Sequence, residues 1–300
     1  ADVTVIARGE HRSAIERSGL VVESPEGRRT VKVPVAADPA QAEIGPDTVV
    51  MLGMKSQDTP PALAALRAAA PAGVAVACLQ NGVDNERAAL RLFPAVYPVC
   101  VMCPAGHLEP GVVQVFSAPV PGLLDVGCYP AGTDDRTAEL TEAFRRAGFD
   151  ALDRPDIMRW KYRKLLLNLG NAVEALCRPP GRSELVRRAQ AEGEECFRAA
   201  GIDFAGEAED RVRRADLLKI GPAGGRDRAG GSSWQSLERG TGAIESDYLN
   251  GEVSLLGRLH SVPTPVNSLL QRLAREAAAR RDRPQQLTAA EVLAALPEPA

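Results

Sequence analysis

Three polar residues set into one apolar helix are the part of this 300-residue chain best suited to chemistry. The run Trp160-Lys161-Tyr162-Arg163-Lys164-Leu165-Leu166-Leu167-Asn168-Leu169-Gly170-Asn171-Ala172-Val173 places Lys164, Asn168 and Asn171 at i, i+4 and i+7. At 3.6 residues per turn that spacing makes one stripe. Almost everything after Lys164 is apolar, and a helix that is apolar nearly all round is buried. A buried ammonium needs a partner, and its pKa shifts readily. Such a stripe is expected to line a cleft, where an ammonium can stabilise an oxygen that becomes anionic and hand it a proton. A lysine snorkelling at a helix edge beside packing asparagines would show the same spacing. The remaining motifs decide between the two.

The second cluster is Gly231-Ser232-Ser233-Trp234-Gln235-Ser236, followed by Thr241-Gly242-Ala243-Ile244-Glu245-Ser246-Asp247-Tyr248-Leu249-Asn250-Gly251. Ile244, Tyr248, Leu249, Val253 and Leu256 form an apolar helical face. Glu245 is then placed to point into a cleft toward Lys164, although on local spacing alone Glu245 and Asp247 are better read as a solvated acidic turn.

The elements that must position these groups fall into two halves. Val3–Ala7, Thr48–Gly53, Val74–Leu79 and Tyr97–Cys103 are short apolar runs. Helical stretches at Glu10–Ser18 and Pro61–Ala70 alternate with them. That alternation predicts an α/β domain with a mostly parallel sheet covered on both faces. Leu20–Glu23 and Thr30–Val35 around Pro25-Glu26-Gly27 predict an antiparallel hairpin. Val112–Phe116 and Leu123–Gly127 suggest a meander, and Thr133-Asp134-Asp135 caps a helix running to Arg146. From about Asp156 the strand signals stop. Helices are expected over 157–176, 183–200, 204–219, 233–258 and 265–280, with a glycine-rich, mobile loop at Gly221–Gly231. The fold class is therefore α/β followed by all-α, with domains at 1–154 and 155–300.

In an open parallel sheet, ligands sit beyond the carboxyl ends of the strands. The residues there are Arg8, Lys55 and Asn81-Gly82. An arginine at the end of Val3–Ala7 suits a 2′-phosphate where an acidic residue would suit a free ribose hydroxyl, so Arg8 with Lys55 favours NADP over NAD. A dinucleotide fold should also open on a strand, G-x-G-x-x-G and a helix. No such motif precedes Val3. The expectation is that Val3–Ala7 is the second strand and that the first strand, glycine loop and helix lie upstream of residue 1.

Composition limits the alternatives. The chain is 45% hydrophobic and 25% charged with a net charge of −3, which is ordinary globular composition with no basic footprint for nucleic acid. There is no apolar run long enough to span a bilayer and no secretory signal, so a cytoplasmic location is expected. The six cysteines are scattered in apolar surroundings, as buried free thiols are. Cys100-x-x-Cys103 lacks the second pair a zinc site needs, so no metal is expected.

These pieces resemble the ketopantoate reductase (2-dehydropantoate 2-reductase) family, and they occur in that family's order. Val3-Thr4-Val5-Ile6-Ala7-Arg8-Gly9 resembles its second strand. Met54-Lys55 and Gln80-Asn81-Gly82-Val83 resemble two cofactor-proximal turns, and Leu108-Glu109-Pro110-Gly111 is also familiar. Trp160 to Asn168 resembles the catalytic-lysine helix. Ser233 with Glu245–Gly251 resembles the C-terminal signature. The resemblance implies a Rossmann-like domain without its first βα unit, followed by a helical domain of the 6-phosphogluconate dehydrogenase C-terminal type. It implies Lys164 as general acid, Glu245 as the acid that binds and orients substrate, and Ser233, Asn168, Asn171 and Asn81 as substrate contacts. Arg8, Lys55, Asn81 and Gly82 would hold NADPH. The implied activity is NADPH-dependent reduction of a 2-oxo acid, foremost 2-dehydropantoate to pantoate in pantothenate biosynthesis. The partners would be the small-molecule substrate, with neither nucleic acid nor membrane, and a homodimer is compatible. Asn171 stands three residues past Asn168 where the family often has four, and Pro179-Pro180 and Gly230 occupy positions of further family asparagines. Two alternatives remain open: a non-catalytic, ligand-binding relative of the same fold, and a reductase acting on another keto acid.

Overall fold

The computed structural model describes residues 2–297. The first half contains β1 (Val5–Ile6), α1 (Gly9–Ser18), β2 (Leu20–Ser24), β3 (Gly27–Val31), β4 (Val35–Ala36), β5 (Val49–Leu52), α2 (Thr59–Ala69), β6 (Ala75–Cys78), α3 (Asn85–Leu90), β7 (Val96–Met102), β8 (Ala105–Gly106), β9 (Val112–Val115), β10 (Ser117–Pro119), β11 (Leu123–Val126) and α4 (Asp135–Arg146). The chain continues as α5 (Ile157–Asn168), α6 (Gly170–Leu176), α7 (Arg182–Ala199), α8 (Glu207–Arg214), β12 (Leu218–Ile220), α9 (Ser232–Glu238), α10 (Asn250–His260), α11 (Pro265–Arg280) and α12 (Ala289–Ala294). It divides into two compact units. One comprises the chain up to Gln80, Asp84–Met158 and Glu207–Arg228; the other comprises Asn81–Val83, Arg159–Gly206 and the chain from Ala229 onward.

The first unit is organised by β6. Its four residues are all buried, as expected of a strand covered on both sides. Side chains alternate across the sheet. Val76 and Cys78 pack with Leu52, Leu63, Leu66, Ala89 and Phe93 on one face, and Ala75 and Ala77 pack with Tyr97, Val99, Leu140 and Phe144 on the other. β5, β6 and β7 are parallel and β11 joins antiparallel to β7, giving the order β11-β7-β6-β5. β1 pairs in parallel with β4. The α4 helix begins where expected, with Asp134 and Thr137 forming a reciprocal capping box.

The hairpin forms as β2 and β3, but the meander does not. β9 pairs in parallel with β2 and antiparallel with β8, whereas β11 pairs with β7. Hydrophobic alternation marks strands without naming their partners.

The second half is not purely helical. The expected 204–219 helix stops at Arg214, and the chain then forms β12, antiparallel to β10. A single cut after residue 154 therefore does not describe the molecule, because Glu207–Arg228 belongs to the first unit. Its anchor is ionic. Arg213 donates to both oxygens of buried Asp125, from Nε at 2.8 Å and from Nη2 at 2.6 Å, and pairs with Asp150 at 2.7 Å. Arg154 Nε also donates to Asp125, at 3.2 Å. The loop after β12 contains a tight turn closed by reciprocal Ala223–Arg226 hydrogen bonds. Gly224, at φ +58°, lies where a Cβ would meet the Glu23 carboxylate at 2.2 Å.

The second unit is a helical cluster in which α6, α7, α9, α10 and α11 pack together. Gly193 lets the helices close up, since a Cβ there would stand 2.7 Å from Leu166 Cδ2. The expected 233–258 helix is divided into α9, a 3-10 turn (Glu245–Tyr248) and α10.

The Arg213–Asp125 pair yields a stability prediction. Removing one partner of a buried pair leaves a charge uncompensated. Arg154 stays beside Asp125, so Arg213→Ala should cost about 3 kcal/mol, the low end of that effect. Urea denaturation measures it, and a loss within about 0.5 kcal/mol, as at an ordinary surface site, would show that the pair anchors nothing.

Candidate active site

The residues expected to act on substrate lie in the second unit. The 157–176 helix is broken at Leu169 into α5 and α6, so Lys164 and Asn168 share α5 while Asn171 stands on α6. Lys164 is half-buried and Asn168 is buried. The Asn168 Nδ2 donates to Asn81 Oδ1 at 3.0 Å. That contact leaves the Asn168 carbonyl oxygen to accept from an ammonium or hydroxyl. Asn81 belongs to the Asn81–Val83 turn, where Gly82 adopts φ +80°, a conformation that favours glycine. Asn171 is half-buried and makes no side-chain hydrogen bond among the described residues.

Side-chain amides back the chain on both sides of the break: Gln190 Nε2 donates to the Leu166 oxygen at 3.2 Å. The Leu169 oxygen accepts from Asn250 Nδ2 at 3.2 Å, and the same amide donates to Asn267 Oδ1 at 2.9 Å. Asn267 in turn donates to the Ala189 carbonyl and to Glu192. The Glu192 carboxylate also accepts from the backbone N–H groups of Val266 and Asn267, capping α11. Burial pushes the Glu192 pKa up, against those hydrogen bonds.

Glu245 opens the 3-10 turn leading into α10 and is buried, whereas Asp247 two residues on is exposed. Asp247 accepts from Gln271 at 2.7 Å and pairs with Arg275 at 3.5 Å. The solvated acidic turn therefore describes Asp247, not Glu245. Ser233, the second residue of α9, is buried. Lys161 and Arg163, which the spacing argument passes over, are buried on α5 as well.

The expected cofactor residues Arg8 and Lys55 lie in the first unit. Arg8 is exposed at the N-cap of α1, and Lys55 is half-buried ahead of the 3-10 turn Ser56–Asp58. Four buried side chains brace the turns after β5 and β6. Gln80 Nε2 donates to Thr59 Oγ1 at 2.7 Å, Thr59 Oγ1 to Asn85 Oδ1 at 2.8 Å, and Asn85 Nδ2 to Ser56 Oγ at 3.0 Å. None of the four carries a charge, so sequence inspection for titratable groups misses them. Among the described residues no group of three His, Cys, Asp or Glu side chains could hold a metal. None of the six cysteines forms a disulfide. No helix there is long and apolar enough to cross a membrane.

The helix carrying Arg8 is latched by histidine. His11 Nδ1 accepts from the Gly111 N–H at 2.9 Å, and its ring meets that of His107 edge to face at 4.4 Å. Burial, and then His107, push the His11 pKa below its ordinary 6.5. Protonation at Nδ1 would remove the acceptor. As pH falls, the unfolded chain takes up this proton first, so the latch stabilises fully above about pH 6.5 and progressively less below it. Thermal melting between about pH 7 and about pH 5.5 should show a steeper loss for the native chain than for His11→Asn. Equal slopes would remove His11 from the account.

Two family models match the chain: "Ketopantoate reductase PanE/ApbA" over residues 1–131 and "Ketopantoate reductase PanE/ApbA C terminal" over residues 156–278. A 2-dehydropantoate 2-reductase of Halobacterium salinarum is 29% identical, over 89% of this chain and 88% of that protein. The enzyme of the same name from Pyrococcus horikoshii is 27% identical, over 91% and 89%. Among solved structures, a PanE/ApbA family ketopantoate reductase from Ralstonia eutropha JMP134 superimposes with a TM-score of 0.75 at 28% identity, covering 93% of this chain and 91% of that one. D-mandelate dehydrogenase with NADH and anilino(oxo)acetate has a TM-score of 0.77 at 20% identity, covering 93% and 92%, and shares the fold.

Proposed function

Because the chain belongs to the ketopantoate reductase family, we propose that it reduces a 2-oxo acid to the 2-hydroxy acid with NADPH, and that 2-dehydropantoate is the substrate. The observation that carries this reading is the Asn168–Asn81 hydrogen bond. It joins the asparagine one turn past Lys164 to the asparagine that the family resemblance puts beside nicotinamide and substrate. The relatives named 2-dehydropantoate 2-reductase support the substrate.

The residue types fit NADP(H) at its two ends. Arg8 offers a charged fork for a 2′-phosphate, with Lys55 as a second cation. Asn81 and Gly82 suit the nicotinamide end. No G-x-G-x-x-G occurs in the chain, so no residue is assigned to the diphosphate. When bound, the cofactor supplies the hydride.

The protein's part is electrostatic. Negative charge grows on the ketone oxygen as the carbonyl carbon is reduced. The Lys164 ammonium stabilises that oxygen and delivers a proton to it. Asn168 holds the ammonium through its carbonyl oxygen without neutralising it. Glu245, a buried carboxylate, binds and orients the substrate, with Ser233 and Asn171 as further hydrogen-bonding contacts.

Lys164→Ala should lower kcat by about a hundredfold or more while leaving the circular dichroism spectrum and Tm close to those of the native chain. A folded Lys164→Ala chain with unchanged kcat would remove Lys164 from the chemistry. Arg8→Ala should lower kcat/KM for NADPH about tenfold or more with little effect on NADH, because a hydrogen bond to a charged group is worth about 1.5–3 kcal/mol. Equal losses with both cofactors would refute the assignment of the 2′-phosphate. A panel of 2-oxo acids, read as NADPH oxidation, separates 2-dehydropantoate from other acids.

A further inference from the structure

We propose that Glu174 is the positioning residue for Ser233, an assignment that rests on the substrate role proposed above. Glu174 lies on α6 and is half-buried. Its Oε2 accepts from the Gly231 N–H at 2.9 Å. Gly231 is the N-cap of α9 and has extended backbone angles, and no side chain of its own caps the helix. The first N–H groups of a helix have no partner within it. Glu174 takes the one immediately ahead of the first turn, where a negative charge is also favoured. Ser233 follows two residues later and is 2% exposed.

Trp234 and Gln235 anchor α9 as well. Gly230 lies so close over Trp234 that a Cβ would stand 2.4 Å from the ring. The Gly230 carbonyl accepts from Gln235 Nε2 at 3.1 Å. With its amide turned to face its donors, Gln285 accepts from Trp234 Nε1 at 3.3 Å and from Arg182 at 3.0 Å. Trp234 and Gln235 thus hold the helix and the Gly230 carbonyl, and Glu174 takes the N–H at the other end of that peptide group. Removing the carboxylate leaves the Gly231 N–H without its acceptor and loosens the first turn that carries Ser233, while Trp234 and Gln235 keep the helix docked. Glu174 and Asn171 share α6, so the same short helix that carries one proposed substrate contact sets the position of another.

The test is steady-state kinetics of the full chain with NADPH and 2-dehydropantoate. Glu174→Ala should raise KM for the oxo acid about tenfold and leave kcat within about twofold, the size of one lost charged hydrogen bond. Glu174→Gln keeps an acceptor oxygen and should restore KM. Adding Glu174→Ala to Ser233→Ala should raise KM no further, since both act on one contact. An unchanged KM in Glu174→Ala, or KM increases that multiply in the double variant, would overturn the proposal. Glu174→Met fills the site without an acceptor and serves if Glu174→Ala loses its fold. If both unfold while Glu174→Gln folds, Glu174 is structural and the proposal fails. A native chain that oxidises NADPH with no 2-oxo acid overturns the underlying reading instead. Native activity with a silent Glu174→Ala overturns only the positioning role.

Discussion

The second unit depends on a buried series of amide hydrogen bonds that meets the backbone beside the break in the lysine helix. Leu169 is the N-cap of α6, so its carbonyl opens that helix's own ladder, and its second lone pair can take a further donor. Asn250 supplies the donor, and its remaining N–H goes to Asn267. From there the chain of hydrogen bonds reaches Ala189 and Glu192, and Glu192 caps α11. Four helices are registered by this route. Asn250 also fixes where α10 begins, and therefore where the 3-10 turn holding Glu245 must end. Asn250 thus ties the start of α6 to the start of α10, next to the turn that holds Glu245.

The first unit meets the same demand by two other means. The segment Glu207–Arg228 returns to it through charge, with the Arg213 fork on Asp125. A buried pair of this kind gives little net stability over an apolar substitute, but it is costly to break on one side. It specifies where the segment must sit. The turns after β5 and β6 are instead braced by the neutral series Gln80, Thr59, Asn85 and Ser56. Uncharged groups pay less for burial than ions do. They also place no fixed charge of their own beside Lys55, whose cation is proposed for the cofactor phosphate.

Features governed by local rules were legible in the sequence. The apolar run of β6, the Pro25-Glu26-Gly27 hairpin and the Asp134 cap each follow from a few adjacent residues. So does the pairing of Lys164 with Asn168 on one helix turn. Features governed by distant partners were not. β12 is three residues long and becomes a strand only beside β10, so no periodicity announces it. The break at Leu169 is flanked by the weak helix formers Asn168, Gly170 and Asn171, but the Asn250 amide that backs the Leu169 carbonyl lies eighty-one residues away. The exchange of strand partners that replaces the expected meander is of the same kind. Spacing could rank Lys164 above other lysines, but it could not show that Lys161 and Arg163 are buried on the same helix.

The break at Leu169 also explains why spacing overstated the stripe. In one continuous helix Lys164, Asn168 and Asn171 must share a face, and their roles would be interchangeable arguments about that face. With the helix divided, Asn168 is set by α5 and by its bond to Asn81, whereas Asn171 moves with α6. The α6 helix is in turn tied to the start of α9 through Glu174. Two groups of polar residues therefore answer to different restraints: Lys164, Asn168 and Asn81 to one, Asn171 and Ser233 to the other. On the proposed substrate roles, a change of side chain on the oxo acid could be accommodated by shifting the second group without disturbing the ammonium. On that reading the reacting carbonyl and the variable side chain of the substrate need not be held by the same helix.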